Sequence, residues 1–216
     1  SRFTRVCAYD RPGVRLDGPD QTTPVAQPHP ADQAADDLYR LLTAAGETGP
    51  YVLFPDSYGG VVAKLFARTW PSEVDGLVMV DTVTPLMRQI ANPEAVAKWD
   101  AFNRRSAPEA PEAVMLADAF AKIDATAPPR ELPAVVLAAD KPWQPPSAPK
   151  DNDPVAGVTF ADWQASEKLL ATSLNAKLVT KTNSGHNIYA YSPQLVIDVI
   201  REVVDAVRNG EPKVGP

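Results

Sequence analysis

Apolar residues in this chain fall into two alternating patterns. Short runs that are apolar nearly throughout occur at Tyr51-Val52-Leu53-Phe54-Pro55, Leu77-Val78-Met79-Val80, Ala134-Val135-Val136-Leu137-Ala138 and Ala176-Lys177-Leu178-Val179-Thr180. A fifth, Thr4-Arg5-Val6-Cys7-Ala8-Tyr9, precedes them. Runs of this length without polar alternation predict strands buried on both faces. Between them the spacing changes to that of amphipathic helices. Ala31, Ala34, Leu38, Leu41, Leu42 and Ala45 share one side of a helix predicted from Pro30 to Ala45, which Gly46 ends. Further helices are predicted over 58–69, closed by Trp70-Pro71, and over 160–171, with Trp163, Leu169 and Leu170 as anchors. The last begins near Pro193, with Leu195, Val196, Val199, Ile200, Val203, Val204 and Val207 as a wide apolar stripe. Buried strands alternating with helices predict an α/β protein, a mostly parallel sheet of five strands with helices on both faces.

Residues 82–132 interrupt the alternation. They have helical propensity but are broken by Pro85, Pro93, Pro108, Pro111, Pro128 and Pro129. They are expected to be a helical insertion, with 1–81 and 133–216 forming the core around it. Two loops are long, 14–30 and 141–158, and both are rich in proline. A chain of 216 residues that is 44% hydrophobic suits one globular domain. Its net charge of −6, with no basic stripe, argues against a nucleic-acid partner. No run reaches the ~18 apolar residues of a membrane span. Neither a glycine-rich phosphate loop nor Cys/His metal spacing is present, so no metal or cofactor is expected. The single cysteine, Cys7, has no internal partner, and composition does not indicate a compartment.

The chemistry centres on Pro55-Asp56-Ser57-Tyr58-Gly59-Gly60. Strand, sharp turn with serine at the apex, then helix: this is the pattern of a nucleophile elbow. The turn lifts the hydroxyl clear of the sheet, and the unpaired N–H groups of the helix start point at any anion forming there. Gly59 and Gly60 present no side chain to a close helix–strand approach. A serine needs a base within hydrogen-bond reach. Of the two histidines, His29 lies in a proline-rich loop and reads as solvated surface, whereas His186 follows a buried strand. A carboxylate should orient that imidazole. Asp81 and Asp140 each directly follow a buried strand and lie between Ser57 and His186 in sequence. In a parallel sheet all four residues gather at the C-terminal edge. Asp10 is a third strand-end carboxylate, placed to brace the Asp10-Arg11-Pro12-Gly13 loop.

Four stretches together resemble the α/β-hydrolase fold family, its esterase and lipase-like group: Val6-Cys7-Ala8-Tyr9-Asp10-Arg11-Pro12-Gly13, Asp56-Ser57-Tyr58-Gly59-Gly60, Gly76-Leu77-Val78-Met79-Val80-Asp81 and Asn183-Ser184-Gly185-His186. The resemblance implies Ser57 as nucleophile, His186 as general base, the Tyr58 N–H as an oxyanion donor and 82–132 as a helical cap over the pocket. It implies a serine hydrolase acting on small carboxylic ester or related acyl substrates through an acyl-enzyme. The alternative is a catalytically weak binding or scaffold protein on the same fold. A third chemistry, epoxide or haloalkane opening, would need Asp56 at the apex. Three departures stand out. Pro55 replaces the first glycine of the elbow. Ala139 and Asp140 do not match the usual acid position, which ranks Asp81 above Asp140. The run at 4–9 corresponds to the family's fourth strand, which leaves a sheet edge and a second oxyanion donor unsupplied. An N-terminal fragment of the same precursor, docked on that edge and joined through Cys7, is the partner this implies. Trp99, Phe102, Met115, Phe120 and Trp143 would give the cap an apolar pocket.

Overall fold

The computed structural model describes residues 3–14, 22–104, 112–142 and 157–215. Its sheet has four parallel strands in the order β1 (Tyr51–Leu53), β2 (Val74–Val80), β3 (Ala134–Leu137) and β4 (Lys177–Val179). Sequential strands are neighbours throughout, so each connection crosses one face of the sheet. The helices are α1 (Ala31–Ala44), α2 (Gly59–Thr69), α3 (Pro93–Asn103), α4 (Leu116–Asp124), α5 (Phe160–Ser173), α6 (Ile188–Tyr191) and α7 (Pro193–Arg208).

Strand alternation divides the interior in two. Leu77, Met79, Ala134 and Val136 face a cluster built with α1, α2, α4 and α5, in which Phe66, Phe120 and Leu170 are fully buried. Val78, Val80, Val135 and Leu137 face Ile188, Val196, Val199 and Val203 of α6 and α7. Both faces are covered, which is why the strand sequences are apolar without interruption. Helix α7 packs tightly on the sheet at Gly76, where a Cβ would stand 2.7 Å from the Val203 side chain.

The expected first strand does not form. Residues 5–12 carry no helical or strand assignment and join no ladder, and Val6 is 67% exposed. Strand conformation is sustained by cross-strand hydrogen bonds, and among the described residues no strand pairs with this segment to supply them. The segment is attached by side chains instead: Arg5 pairs with Glu47, Arg11 with Glu112, and Arg208 donates to the Phe3 carbonyl. The run at 51–55 is also shorter as a strand than expected. Pro55 has no N–H to give the ladder, although its carbonyl accepts from Val80 N at 3.0 Å and a bridge resumes at Asp56–Val80.

Within 82–132, helix α4 packs on α1 and α2, and Trp99, Phe120 and Ile123 join the larger core cluster. Phe102 is exposed, and Trp143 lies outside the described residues. On α1, the buried positions are the small residues Ala31, Ala34 and Ala35, while Leu41 is exposed. No helix among the described residues is long and apolar enough to cross a membrane.

Candidate active site

Ser57 sits where β1 ends and α2 begins, in the left-handed region at φ +50°. Its N–H donates to the Val80 carbonyl at 3.2 Å, and its own carbonyl accepts from Gly60 and Val83. The turn is therefore over-determined by backbone bonds, which is how a strained residue is held. Asp81 is also left-handed, at φ +45°, as is Asn183, at φ +51°, in the loop after β4. Non-glycine residues rarely adopt this conformation. Three of the four in the described chain follow β1, β2 and β4, at the C-terminal edge of the sheet.

Gly60 makes this crowding feasible. A Cβ there would stand 2.4 Å from the Thr82 Cβ, so the first turn of α2 packs directly on the residue after Asp81. Gly59 has no such constraint; a Cβ at that position would meet Pro55 at 3.5 Å, an ordinary contact. Of the two glycines, only Gly60 is required by close approach.

The structure brings His186 and Asp81 together and gives Asp140 other partners. His186 Nδ1 lies 2.7 Å from Asp81 Oδ2, and Asp81 Oδ1 accepts from the Ala139 N–H at 2.8 Å. Asp81 is 2% exposed. Asp140 instead accepts from the N–H groups of Asn183 and Ser184, at 2.9 and 2.8 Å, and fixes the loop that carries His186. Burial works against a charge on His186, but the hydrogen bond and charge of Asp81, with a smaller pull from Asp56, outweigh it and hold its pKa above the ordinary value. The ring packs edge-on against Trp163, with centroids 5.8 Å apart.

Asp56 is partly buried, and its Oδ1 is enclosed without a hydrogen-bond partner. Desolvation, with the nearby Asp81 charge, pushes its pKa up to about 6 against the attraction of His186. Tyr58 has helical backbone angles ahead of α2, and among the described residues its N–H donates to no backbone carbonyl. Its ring lies under the Arg11 guanidinium, 5.4 Å from the centroid.

His29 is not solvated surface. It is 8% exposed, and its Nε2 lies 2.8 Å from Asp37 of α1. The prolines around it suggested an open loop, but an acceptor on α1 lies within reach of the ring. Asp10 and the Cys7 thiol are exposed.

Helix α5 forms a wall of the site that the motif pattern does not reveal. Besides Trp163, Gln164 Nε2 donates to the Ala139 carbonyl at 3.2 Å, on the residue whose N–H holds Asp81. Glu167 is fully buried on the same helix. The signal was present in the spacing: Trp163, Glu167, Leu170 and Ala171 share a helical face, and a glutamate in such a stripe marks a buried polar group.

Comparison with solved structures decides the fold. An esterase from Thermogutta terrifontis superimposes with a TM-score of 0.52 at 22% identity, over 92% of this chain and 78% of that one. A putative lipase from Acinetobacter baumannii gives 0.55 at 20% identity, over 87% and 72%. The fold is that of the α/β-hydrolases. An enzyme described as degrading N-acyl homoserine lactones, Est816, gives 0.53 at 19% identity, over 89% and 80%. No protein-family model matches the chain. Among curated proteins, an uncharacterized protein of Schizosaccharomyces pombe is 38% identical over 78 residues, 36% of this chain. The polyketide synthase ThaQ of Burkholderia thailandensis is 28% identical over 227 residues, 88% of this chain. The aligned regions span only 14% and 10% of those two longer proteins.

Proposed function

We propose that the protein is a serine hydrolase of carboxylic esters or related acyl compounds, with Ser57 as nucleophile, His186 as general base and Asp81 as the orienting acid. The observation that carries this is the 2.7 Å contact between His186 Nδ1 and a buried Asp81, at the same sheet edge as the strained Ser57 turn. With Nδ1–H donating to Asp81, the lone pair of Nε2 is the basic position. Nε2 takes the Ser57 proton as Oγ attacks the acyl carbon. The Tyr58 N–H, at the start of α2, faces the negative charge that develops on the carbonyl oxygen. Collapse of the tetrahedral intermediate expels the alcohol, which leaves with the proton from His186. Water, deprotonated by His186, then attacks the acyl-serine, and the carboxylic acid departs. In this reading residues 82–132 act as the cap that shapes the acyl pocket. The named activities of the structural neighbours, esterase, lipase and lactone degradation, support acyl transfer as the chemistry by analogy of fold.

One observation favours the second reading, a weakly active binding protein: the residue before Ser57 in the chain is a half-buried carboxylate, Asp56, whose negative charge above about pH 6 would oppose an oxyanion formed at Ser57. A fluorophosphonate probe separates the two. Labelling of the wild type and loss of labelling in Ser57→Ala, with the fold retained by circular dichroism, supports the hydrolase. An unlabelled wild type that is folded leaves the binding protein.

A further inference from the structure

Among the described residues, Glu167 is the most deeply buried ionisable group outside the proposed triad. It is 0% exposed, and neither carboxyl oxygen has a hydrogen-bond partner. Its neighbourhood is the back of the triad acid. The Thr82 N–H faces the carboxyl without reaching hydrogen-bond geometry, and Asp81 acts on it as a like charge. The other charged group acting on it is Lys64 of α2, whose Nζ donates to Thr84 Oγ1 at 2.9 Å. Lys64 makes no hydrogen bond to Glu167. Lys64 faces Arg68 as well and is itself 5% exposed. The same helix reaches the dyad at two further points, Trp163 against the His186 ring and Gln164 on the Ala139 carbonyl.

We propose that Glu167 is a positioning residue for the Asp81–His186 pair, acting as a neutral, protonated carboxylic acid packed behind the segment 81–84. This rests on the serine-hydrolase reading for its consequence in catalysis, but not for its geometry. An ionised carboxylate without donors, beside a second buried carboxylate, is the costliest arrangement for such a group. The neutral acid fills the same volume and leaves Asp81 as the negative charge that faces the imidazole. Burial first, then the Asp81 charge, drives Glu167 well above the ordinary carboxylate range. Desolvation lowers Lys64 to about 7. Lys64 keeps its acceptor in Thr84 Oγ1 whether charged or neutral.

The test uses the full chain and three readouts. Infrared spectra of protein labelled with carbon-13 glutamate should show a protonated carboxylic acid at pH 7, absent from Glu167→Gln. The downfield proton resonance of His186 Nδ1–H should persist in Glu167→Gln and shift or broaden in Glu167→Ala. Fluorophosphonate labelling should stay within about threefold of wild type in Glu167→Gln and fall on the order of 10- to 100-fold in Glu167→Ala, the range expected of a misplaced catalytic group. Absence of the acid band overturns the proposal, as does an alanine variant that keeps the resonance. A glutamine variant that loses as much as alanine shows that the charge is needed, and overturns it too. If Glu167→Ala does not fold, the band and the glutamine variant decide alone. If the wild type is never labelled, the hydrolase reading fails while the band and resonance still decide on Glu167.

Discussion

Asp81 and Asp140 begin from the same local design, an aspartate directly after a buried parallel strand, and finish with different partners. Asp81 lies inside, takes the Ala139 N–H on one oxygen and meets the imidazole with the other. Asp140 lies outside and takes two successive backbone N–H groups of the loop before His186. One aspartate acts on the histidine ring, the other on the chain that carries it. The difference follows from backbone conformation. Asp81 stands in a left-handed turn with its carboxyl on Ala139 and His186, while Asp140, which is not left-handed, takes the N–H groups of the adjacent loop. A strand-end carboxylate is thus identified as a triad candidate by what it points at, not by its place in the sequence.

The largest test of this contrast is Asp81→Asn. An amide at this position favours the wrong imidazole tautomer, and ester hydrolysis should fall by about 10⁴. Steady-state rates on an activated ester check this; a loss below tenfold would remove Asp81 from the triad.

Asp56→Asn probes a carboxylate that lacks donors for one oxygen. Its folded pKa lies above the unfolded value, so the wild type is favoured in acid and loses that advantage as pH rises through about 6. The asparagine variant should therefore be more stable than wild type at pH 7, by about 1–3 kcal/mol, and no more stable at pH 4. Urea unfolding at the two pH values measures it. Losing the Asp56 charge also lowers the His186 pKa, so the acid limb of kcat/KM should move to lower pH.

Asp140→Asn should have the smallest effect. Desolvation works against the charge, but the Asn183 and Ser184 N–H groups outweigh it and hold the carboxyl below its ordinary range. A lowered pKa contributes stability above the unfolded value that disappears as pH falls through the folded one. The exposed position limits the contribution to about 1 kcal/mol or less at pH 7. Unfolding curves should converge in acid, and activity at pH 7 should fall by less than about tenfold. A loss matching that of Asp81→Asn would erase the distinction between the two aspartates.

Much of the architecture was legible in the sequence because buried parallel strands are apolar throughout. β2 and β3 stand where Leu77–Val80 and Ala134–Ala138 placed them, and the stripe beginning at Pro193 is α7. The run at 4–9 misled because an apolar pattern describes what a strand would bury, not whether a neighbouring strand is there to pair with it. The site divided similarly. Motif spacing picked out Ser57, His186 and the two aspartates, but left their pairing open, since that depends on left-handed turns at Asp81 and Asn183. Glu167 was invisible to motif reading because its surroundings come from α2 and the end of β2, far away in sequence.

Attachment of residues 3–14 by arginine–carboxylate pairs gives the segment one hold that salt can loosen and one that it cannot. Salt weakens exposed pairs such as Arg5–Glu47 while leaving the apolar sheet core almost untouched. The same segment carries Arg11, which grips Glu112 and covers the ring of Tyr58, next to the proposed nucleophile. The Arg11–Glu112 pair is mostly buried and escapes that screening, so salt releases the outer end of the segment first and leaves the cover over Tyr58 in place.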